Sequence, residues 1–333
     1  MRWATAGCSR PSPPEPRRPG DAVTARPVIC LGCAFWDTIF QVAEIPRHGT
    51  KVLAEQAVQA ASGMATAAAA TIARLGGSVE LWTRIGDDAT GDAFLQNLTA
   101  ERVGIDHVRR VPGGRTWIST ILVDRAGERL VVPYADPSLD PDPAWLPLDR
   151  VAGAGAVLID VRWVEGARAL MAQARRDRVP VVLDADIAPP ALLRELVPLA
   201  DHVLFSEPAL LSLVPAAASV EAALGQIVAT LDAAVVGVTC GARGALIWQR
   251  GDRAARLVPT IPIVARDTLN AGDVWHGAYA HGLVQGWDLD RTVRIANVAA
   301  AIKCERFGGR LGAPGLAEVI GRLDGISAPP SAG

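Results

Sequence analysis

No apolar run in this chain reaches the roughly 20 residues of a membrane span without a charge or turn residue breaking it. A spanning helix, and with it a membrane partner, is therefore not expected. There is no long basic block either, and the formal net charge over 333 residues is only −2. Without a basic stripe, nucleic acid is not an expected partner. Cysteine is sparse: Cys8, Cys30, Cys33, Cys240 and Cys304. Only Cys30 and Cys33 form a Cys-x-x-Cys, and no second such pair or His pair completes a zinc site. Reduced, structural thiols are the expectation, and with them a cytoplasmic location. Residues 1–26 are rich in Pro, Arg, Ser and Gly and lack the apolar centre of a secretory leader. They read as a disordered tail, or as residues upstream of the true start. Residues 326–333 read as a flexible C-terminal tail.

Half the residues are hydrophobic and a fifth are charged, which suffices for a sizeable core. The stretch that organises the rest is Arg266-Asp267-Thr268-Leu269-Asn270-Ala271-Gly272-Asp273. It follows a β-like run, Thr260 to Val264, and precedes an Ala/Gly-rich apolar segment, Val274 to Leu283, that reads as a helix. Small residues before a helix start let the backbone approach a ligand, and the first-turn N–H groups face it. Those donors and the helix dipole favour an anion such as phosphate. Asp273 sits where the anion would go. A chemical reason to keep an acid there is proton removal from a hydroxyl that attacks a phosphoryl group. The plainer alternative is a helix start capped by Asp267 or Asp273, with Gly272 as a turn residue. Local spacing leaves both open.

The flanking chain alternates strand and helix from Val28 onward, with two β excursions. The first covers residues 40–60. The second is a hairpin over residues 116–132, turning at Asp124-Arg125-Ala126-Gly127-Glu128. Together they read as a small lid beside the main sheet. A helix opens at Ala61-Ser62-Gly63-Met64 and ends at Gly76-Gly77. Successive strands end in Asp160, Asp184, Ser206-Glu207 and Thr239-Cys240-Gly241. Polar and glycine residues repeated at strand ends describe one binding edge at the carboxyl ends of a mostly parallel sheet. The first strand runs towards Asp37, which reads either as a turn cap or as a ligand contact at that edge. The fold expected is α/β: a doubly wound, mostly parallel sheet flanked by helices, with a β-sheet lid from about 38–60 and 112–135, in one domain over 27–325.

Four elements together resemble the ribokinase-like (PfkB) carbohydrate kinases. Asp267-Thr268-Leu269-Asn270-Ala271-Gly272-Asp273 is similar to that family's Asp-Thr-x-Gly-Ala-Gly-Asp, with Asn270 in the glycine's place. Thr239-Cys240-Gly241-Ala242-Arg243-Gly244 resembles its Thr-x-Gly-x-x-Gly. Ser62-Gly63 through Ala73-Arg74-Leu75-Gly76 resembles the N-terminal glycine element, and Arg84-Ile85-Gly86-Asp87-Asp88-x-x-Gly91 the Gly-x-Asp-x-x-Gly turn. The resemblance spans about residues 28–320. Finer similarities to ketohexokinase and sulfofructose kinase lie in Phe205-Ser206-Glu207-Pro208-Ala209, Lys303-Cys304 and Asp160-Val161-Arg162-Trp163.

The resemblance implies transfer of the γ-phosphoryl of ATP, with Mg2+, to a hydroxyl of a sugar, a ketose on the finer pattern. It implies Asp273 as base and the N–H groups of Ala271, Gly272 and Asp273 as anion hole. Thr239, Gly241 and Gly244 fall to the nucleotide, with Asn297 and Ala300 flanking the adenine. Asp37 and Gly63 fall to the sugar. Asn270 tolerates the left-handed backbone better than other non-glycine residues; it also stands within reach of substrate. Thr66 replaces a usual Asn, which weakens one sugar contact. Ala209 replaces the acid of the family's Asn-x-x-Glu, leaving Glu207 either to hold magnesium through water or to serve as a helix-start acid. Lys51 and Arg162 are either surface cations or a clamp for an anionic sugar such as a sulfofructose or sugar phosphate. Trp36 and Trp163 either pack or stack on a sugar, and His276 reads as a packed histidine. A lid with open strand edges suggests a homodimer. The rival of another class is a non-catalytic sugar- or nucleotide-binding relative, which the retained Ala271, Gly272 and Asp273 disfavour.

Overall fold

A computed structural model describes residues 26–327; the N-terminal tail up to residue 25 and the last six residues lie outside it. The chain begins with β1 (Val28–Leu31) and crosses into β2 (Phe35–Gln41) and β3 (Gln56–Ser62). Helix α1 (Met64–Arg74), β4 (Val79–Gly86), α2 (Ala89–Ala100) and β5 (Val108–Val111) follow. The hairpin β6 (Trp117–Val123) and β7 (Arg129–Tyr134) comes next. The alternation resumes with β8 (Ala156–Asp160), α3 (Val164–Asp177), β9 (Val181–Ala185), α4 (Pro190–Leu196), β10 (His202–Ser206), α5 (Glu207–Leu213), α6 (Val220–Val228) and β11 (Val235–Thr239). The hairpin β12 (Ala245–Gln249) and β13 (Arg256–Val258) precedes α7 (Ala271–Val284), α8 (Leu289–Cys304) and α9 (Leu316–Ser327).

The main sheet has nine strands in the order β13-β12-β11-β10-β9-β8-β1-β4-β5. It is parallel from β5 to β11 and ends in the antiparallel β12–β13 hairpin. Its strands are apolar on both faces because helices cover both. Cys30, Leu81, Leu158, Val182 and Leu204 face α1, α7 and α8. Leu31, Ile159, Leu183 and Phe205 face α3 to α6. The alanine-rich α1 lies so close to α7 that a Cβ on Gly277 would meet the main-chain oxygen of Ala68 at 2.5 Å. This is the α/β architecture the sequence pattern predicts.

The second sheet is the lid, in the order β3-β2-β6-β7. It differs from the expectation at its root. The lid starts at Phe35, so Asp37 sits within lid strand β2 and not in a turn at the carboxyl end of β1. The alternation of β2 places Asp37 and Ile39 on the buried face. A second correction concerns Thr260 to Val264. These residues form no strand. Pro259 and Pro262 interrupt the run, and a proline supplies no ladder donor. Only Arg256–Val258 pairs with β12.

Candidate active site

The loop before α7 is built by one acid. Asp267 is fully buried. Its Oδ1 accepts from the N–H of Leu269 at 2.8 Å, and its Oδ2 accepts from the N–H groups of Gly308 and Gly309 at 2.9 and 2.7 Å. The Lys303 ammonium, also fully buried, donates to the main-chain oxygen of Asp267 at 2.6 Å and reaches Oδ1 at 3.1 Å. Burial draws the Lys303 pKa down, and Asp267 opposes that shift. Asp267 therefore clamps two loops together and does not cap the helix.

Asn270 follows in the left-handed region at φ 59°, as its side chain permits. Its Oδ1 accepts from the N–H of Arg310 at 3.2 Å, and its Nδ2 donates to Asp273 Oδ2 at 2.7 Å. Asn270 thus binds Asp273 directly. Among the described residues, no acceptor is met by the N–H of Gly272 or Asp273, whereas Ala271 donates at 3.3 Å to Thr268. Two donors of the expected anion hole are free, and the third is partly engaged. Burial raises the Asp273 pKa to about 6; the Asn270 hydrogen bond opposes this, and Asp186 and Asp160 add to it. An acid poised there is suited to accept a proton near neutrality.

Other carboxyl groups surround it. Asp184 is buried, and burial followed by the Asp273 charge pushes its pKa well up. It lies 3.3 Å from His276 Nδ1. His276 also contacts the main-chain oxygens of Gly272 and Leu204, and burial draws its pKa to about 4. It is a packed strut below Asp273. Asp160 joins β1 to α1: its Oδ2 accepts from Cys33 and Ala65, and its Oδ1 from Arg162. Gly63, at φ 105°, begins α1 where a Cβ would meet the Cys33 oxygen at 2.5 Å. Thr66 Oγ1 donates to that same oxygen at 3.1 Å.

The lid contributes Asp37, whose Oδ1 accepts a short hydrogen bond from Ser119. Burial raises its pKa, and Ser119 is the largest opposing influence. The lid also reaches the loop itself: Arg129 Nη1 donates to Thr268 Oγ1 at 2.8 Å, which in turn donates to the oxygen of Gly127 at 3.0 Å. No motif marks Arg129; only the turn geometry at Gly127 brings it over. Lys51 lies exposed in the loop between β2 and β3. Arg162 faces Asp186 at 3.6 Å, and no contact joins it to Lys51 among the described residues. Trp163 is fully buried and stacks on Trp145 at 5.7 Å, so it packs. Trp36 packs against the main core from the lid.

On the nucleotide side, Gly244 has φ 103°, and a Cβ there would meet the Val258 oxygen at 2.2 Å. Gly241 is also left-handed, and Thr239 Oγ1 donates to Phe205 at 3.4 Å. Asn297 is a strut: its amide donates to the oxygen of Val258 at 2.8 Å and accepts from Trp275 Nε1 at 2.7 Å. Ala300 stays partly exposed on α8. Glu207 is the first residue of α5, after the cap Ser206. No group of three or more His, Cys, Asp or Glu could hold a metal among the described residues. Mg2+ would therefore sit mainly on phosphates and water with one or two carboxylates, a usual arrangement for that ion.

Free helix-start donors and a poised acid at the carboxyl edge of a parallel sheet define an ATP-dependent sugar kinase once comparisons are added. The family model for pfkB family carbohydrate kinases matches residues 26–315, and the chain belongs to that family. The ribokinase of Bacillus subtilis (strain 168) is 27% identical over 296 residues, covering 88% of this chain and 98% of the relative. The ATP-dependent ribose-1-phosphate kinase of Halopiger xanaduensis is 27% identical over 292 residues, covering 85% and 93%. The solved structure of a candidate ribokinase from Agrobacterium tumefaciens is 37% identical, with a TM-score of 0.87 over 91% of this chain and 99% of that one. Among the described residues no helix is long and apolar enough to cross a membrane.

Proposed function

We propose that this sugar kinase transfers the γ-phosphoryl group of ATP with Asp273 as general base. The observation that carries the reading is the Asp273 carboxyl, held by Asn270 Nδ2 at 2.7 Å beside the N–H groups of Gly272 and Asp273, which meet no acceptor among the described residues; burial raises its pKa, which suits a base. Asp273 takes the proton of the acceptor hydroxyl, and the N–H groups receive charge on the transferring phosphoryl oxygens. Asp37 and Gly63 orient the sugar. Gly241, Gly244 and Thr239 hold the nucleotide, with Ala300 beside the adenine; the saturated amide of Asn297 supports that wall from behind. Glu207 is the candidate for a water-mediated magnesium contact.

The acceptor is a small sugar. The motif similarity to ketohexokinase supports a ketose, and the relatives named ribokinase support a pentose. An anionic sugar is the second reading, favoured by a relative named for ribose 1-phosphate. For that reading Lys51 and Arg162 remain anion contacts to test by alanine substitution. A cytoplasmic location belongs to the same proposal. So does a homodimer through the lid, whose outer face exposes Ile118, Leu130, Val132 and Tyr134. ADP release in the presence of ATP, Mg2+ and a panel of ribose, fructose, ribose 1-phosphate and gluconate tests the reading. Sugar-dependent ADP release is expected; none with any sugar would support the non-catalytic relative instead.

A further inference from the structure

One charged side chain near the sugar pocket has no hydrogen-bond or ion-pair partner among the described residues. Arg84, near the carboxyl end of β4, is 5% exposed. Among the described residues it forms no hydrogen bond and no ion pair, and its buried Nε is without an acceptor. Its guanidinium carbon lies 4.4 Å from the ring centre of Trp163 and 5.5 Å from that of Trp117. Two indole faces suit a guanidinium, but they leave its in-plane donors unmatched. A buried charge without an acceptor is costly and is not retained for packing alone when an apolar chain of similar length would fill the space.

The cage is fixed in advance. Trp117 Nε1 donates to the oxygen of Asp136 at 2.9 Å, and Trp163 Nε1 to that of Pro141 at 2.8 Å. Its position follows from the lid register. Trp117 pairs with Phe35, and Ser119 pairs with Asp37 and donates to it. Trp117 and Ser119 share a strand face, two residues apart, or roughly 6–7 Å. The cage therefore borders Asp37 along the inner face of the lid. Burial lowers the Arg84 pKa, and the charges of Glu165, Asp160 and Asp140 oppose this from beyond ion-pair distance; Asp160 already accepts three main-chain N–H bonds.

We propose that Arg84, held between Trp117 and Trp163, is an oxyanion subsite of the sugar pocket. It takes a carboxylate or phosphate carried by the acceptor at the end remote from the hydroxyl facing Asp273. The planar donor edge offers such a group two parallel hydrogen bonds. This inference rests on the sugar-kinase reading for the position of the pocket, and its test includes binding measured apart from turnover.

The test uses the full chain with gluconate, ribose 1-phosphate, ribose and fructose. Calorimetric binding and ADP release are measured for wild type, Arg84→Met and Arg84→Lys. Wild type is expected to bind at least one anionic sugar about 10-fold or more tightly than the neutral ones. Arg84→Met is expected to lose roughly 10- to 100-fold of that preference, the range of a charge-assisted pair, chiefly in Kd and KM. Neutral-sugar kcat should stay within about threefold. Arg84→Lys should fall between, keeping the charge without the fork. The apo melting temperature of Arg84→Met should equal or exceed that of wild type. A lower melting temperature with unchanged sugar preference would make Arg84 a structural strut and overturn the subsite. Equal wild-type affinity for neutral and anionic sugars would overturn it even if neither variant folds. Anion binding that depends on Arg84 without turnover of any sugar would uphold the subsite and sink the kinase reading.

Discussion

Asn270 and Asp273 form a two-residue device whose effect is set by one hydrogen bond of 2.7 Å. Burial raises Asp273 to about 6, and the Asn270 amide holds it from rising further. A base acts as its carboxylate, so kcat/KM should climb as pH rises through about 6 and level above it. Asn270→Gly keeps the left-handed backbone but removes the amide. It should move that limb to higher pH, read from the pH profile; a limb that stays put or moves down would contradict the coupling. The raised pKa also has a stability sign. The folded state holds the proton more tightly than the unfolded one, so Asp273's contribution to stability is lost as pH rises from about 4 to about 6. At this scale the sequence reveals what is local. Asp273, Gly272 and the left-handed Asn270 are legible because spacing before a helix dictates their geometry. The contacts of Arg129, Arg84 and Asn297 are not, because each depends on residues far away in the chain that only the fold brings near.

At the scale of elements, the loop before α7 is shaped from behind by α8. Lys303, in the last turn of α8, places its ammonium on Asp267. Removing one partner of a buried pair leaves the other charge uncompensated, at a cost of about 3–5 kcal/mol. Lys303→Met should therefore lower the urea unfolding midpoint by a corresponding amount. An unchanged midpoint would show that the pair does not hold the loop. The helices and central strands are readable because apolar periodicity sets them. Two elements are less so. Pattern suggests a strand at Thr260 to Val264 where prolines prevent one, and β5 carries no apolar run to mark it, because half the residues of this short edge strand are Arg. The start of β2 is also hidden, since Phe35-Trp36 continues the apolar run of β1 and only the turn at Gly32-Cys33 separates the two sheets.

At the scale of the molecule, the lid joins both halves of the chemistry. It carries Asp37 inward and Arg129 onto the loop before α7. Its outer face exposes Ile118, Leu130, Val132 and Tyr134, and every residue of the edge strand β7 is exposed. The proposed homodimer would cover that face with a second copy and remove the cost of leaving it to water. Val132→Glu should shift the mass measured by light scattering from dimer to monomer; a wild type already monomeric at tens of micromolar would refute the dimer. Closure of residues 40–58 and 116–132 over bound sugar is a further expectation from the two β excursions; a sugar-bound structure with these residues no nearer the main sheet than in the free form would contradict it. The general architecture was accessible from composition and strand–helix alternation, yet the way the lid positions Asp37 was not, because register between β2 and β6 is a long-range property.

The central claim is that Asp273 removes the proton from the acceptor hydroxyl. Steady-state kinetics of Asp273→Asn on the sugar that the wild type phosphorylates, with ATP affinity measured in parallel, tests it most directly. We predict a fall in kcat of roughly 10²-fold or more with ATP binding retained. Turnover equal to that of the wild type would contradict the assignment of Asp273 as base.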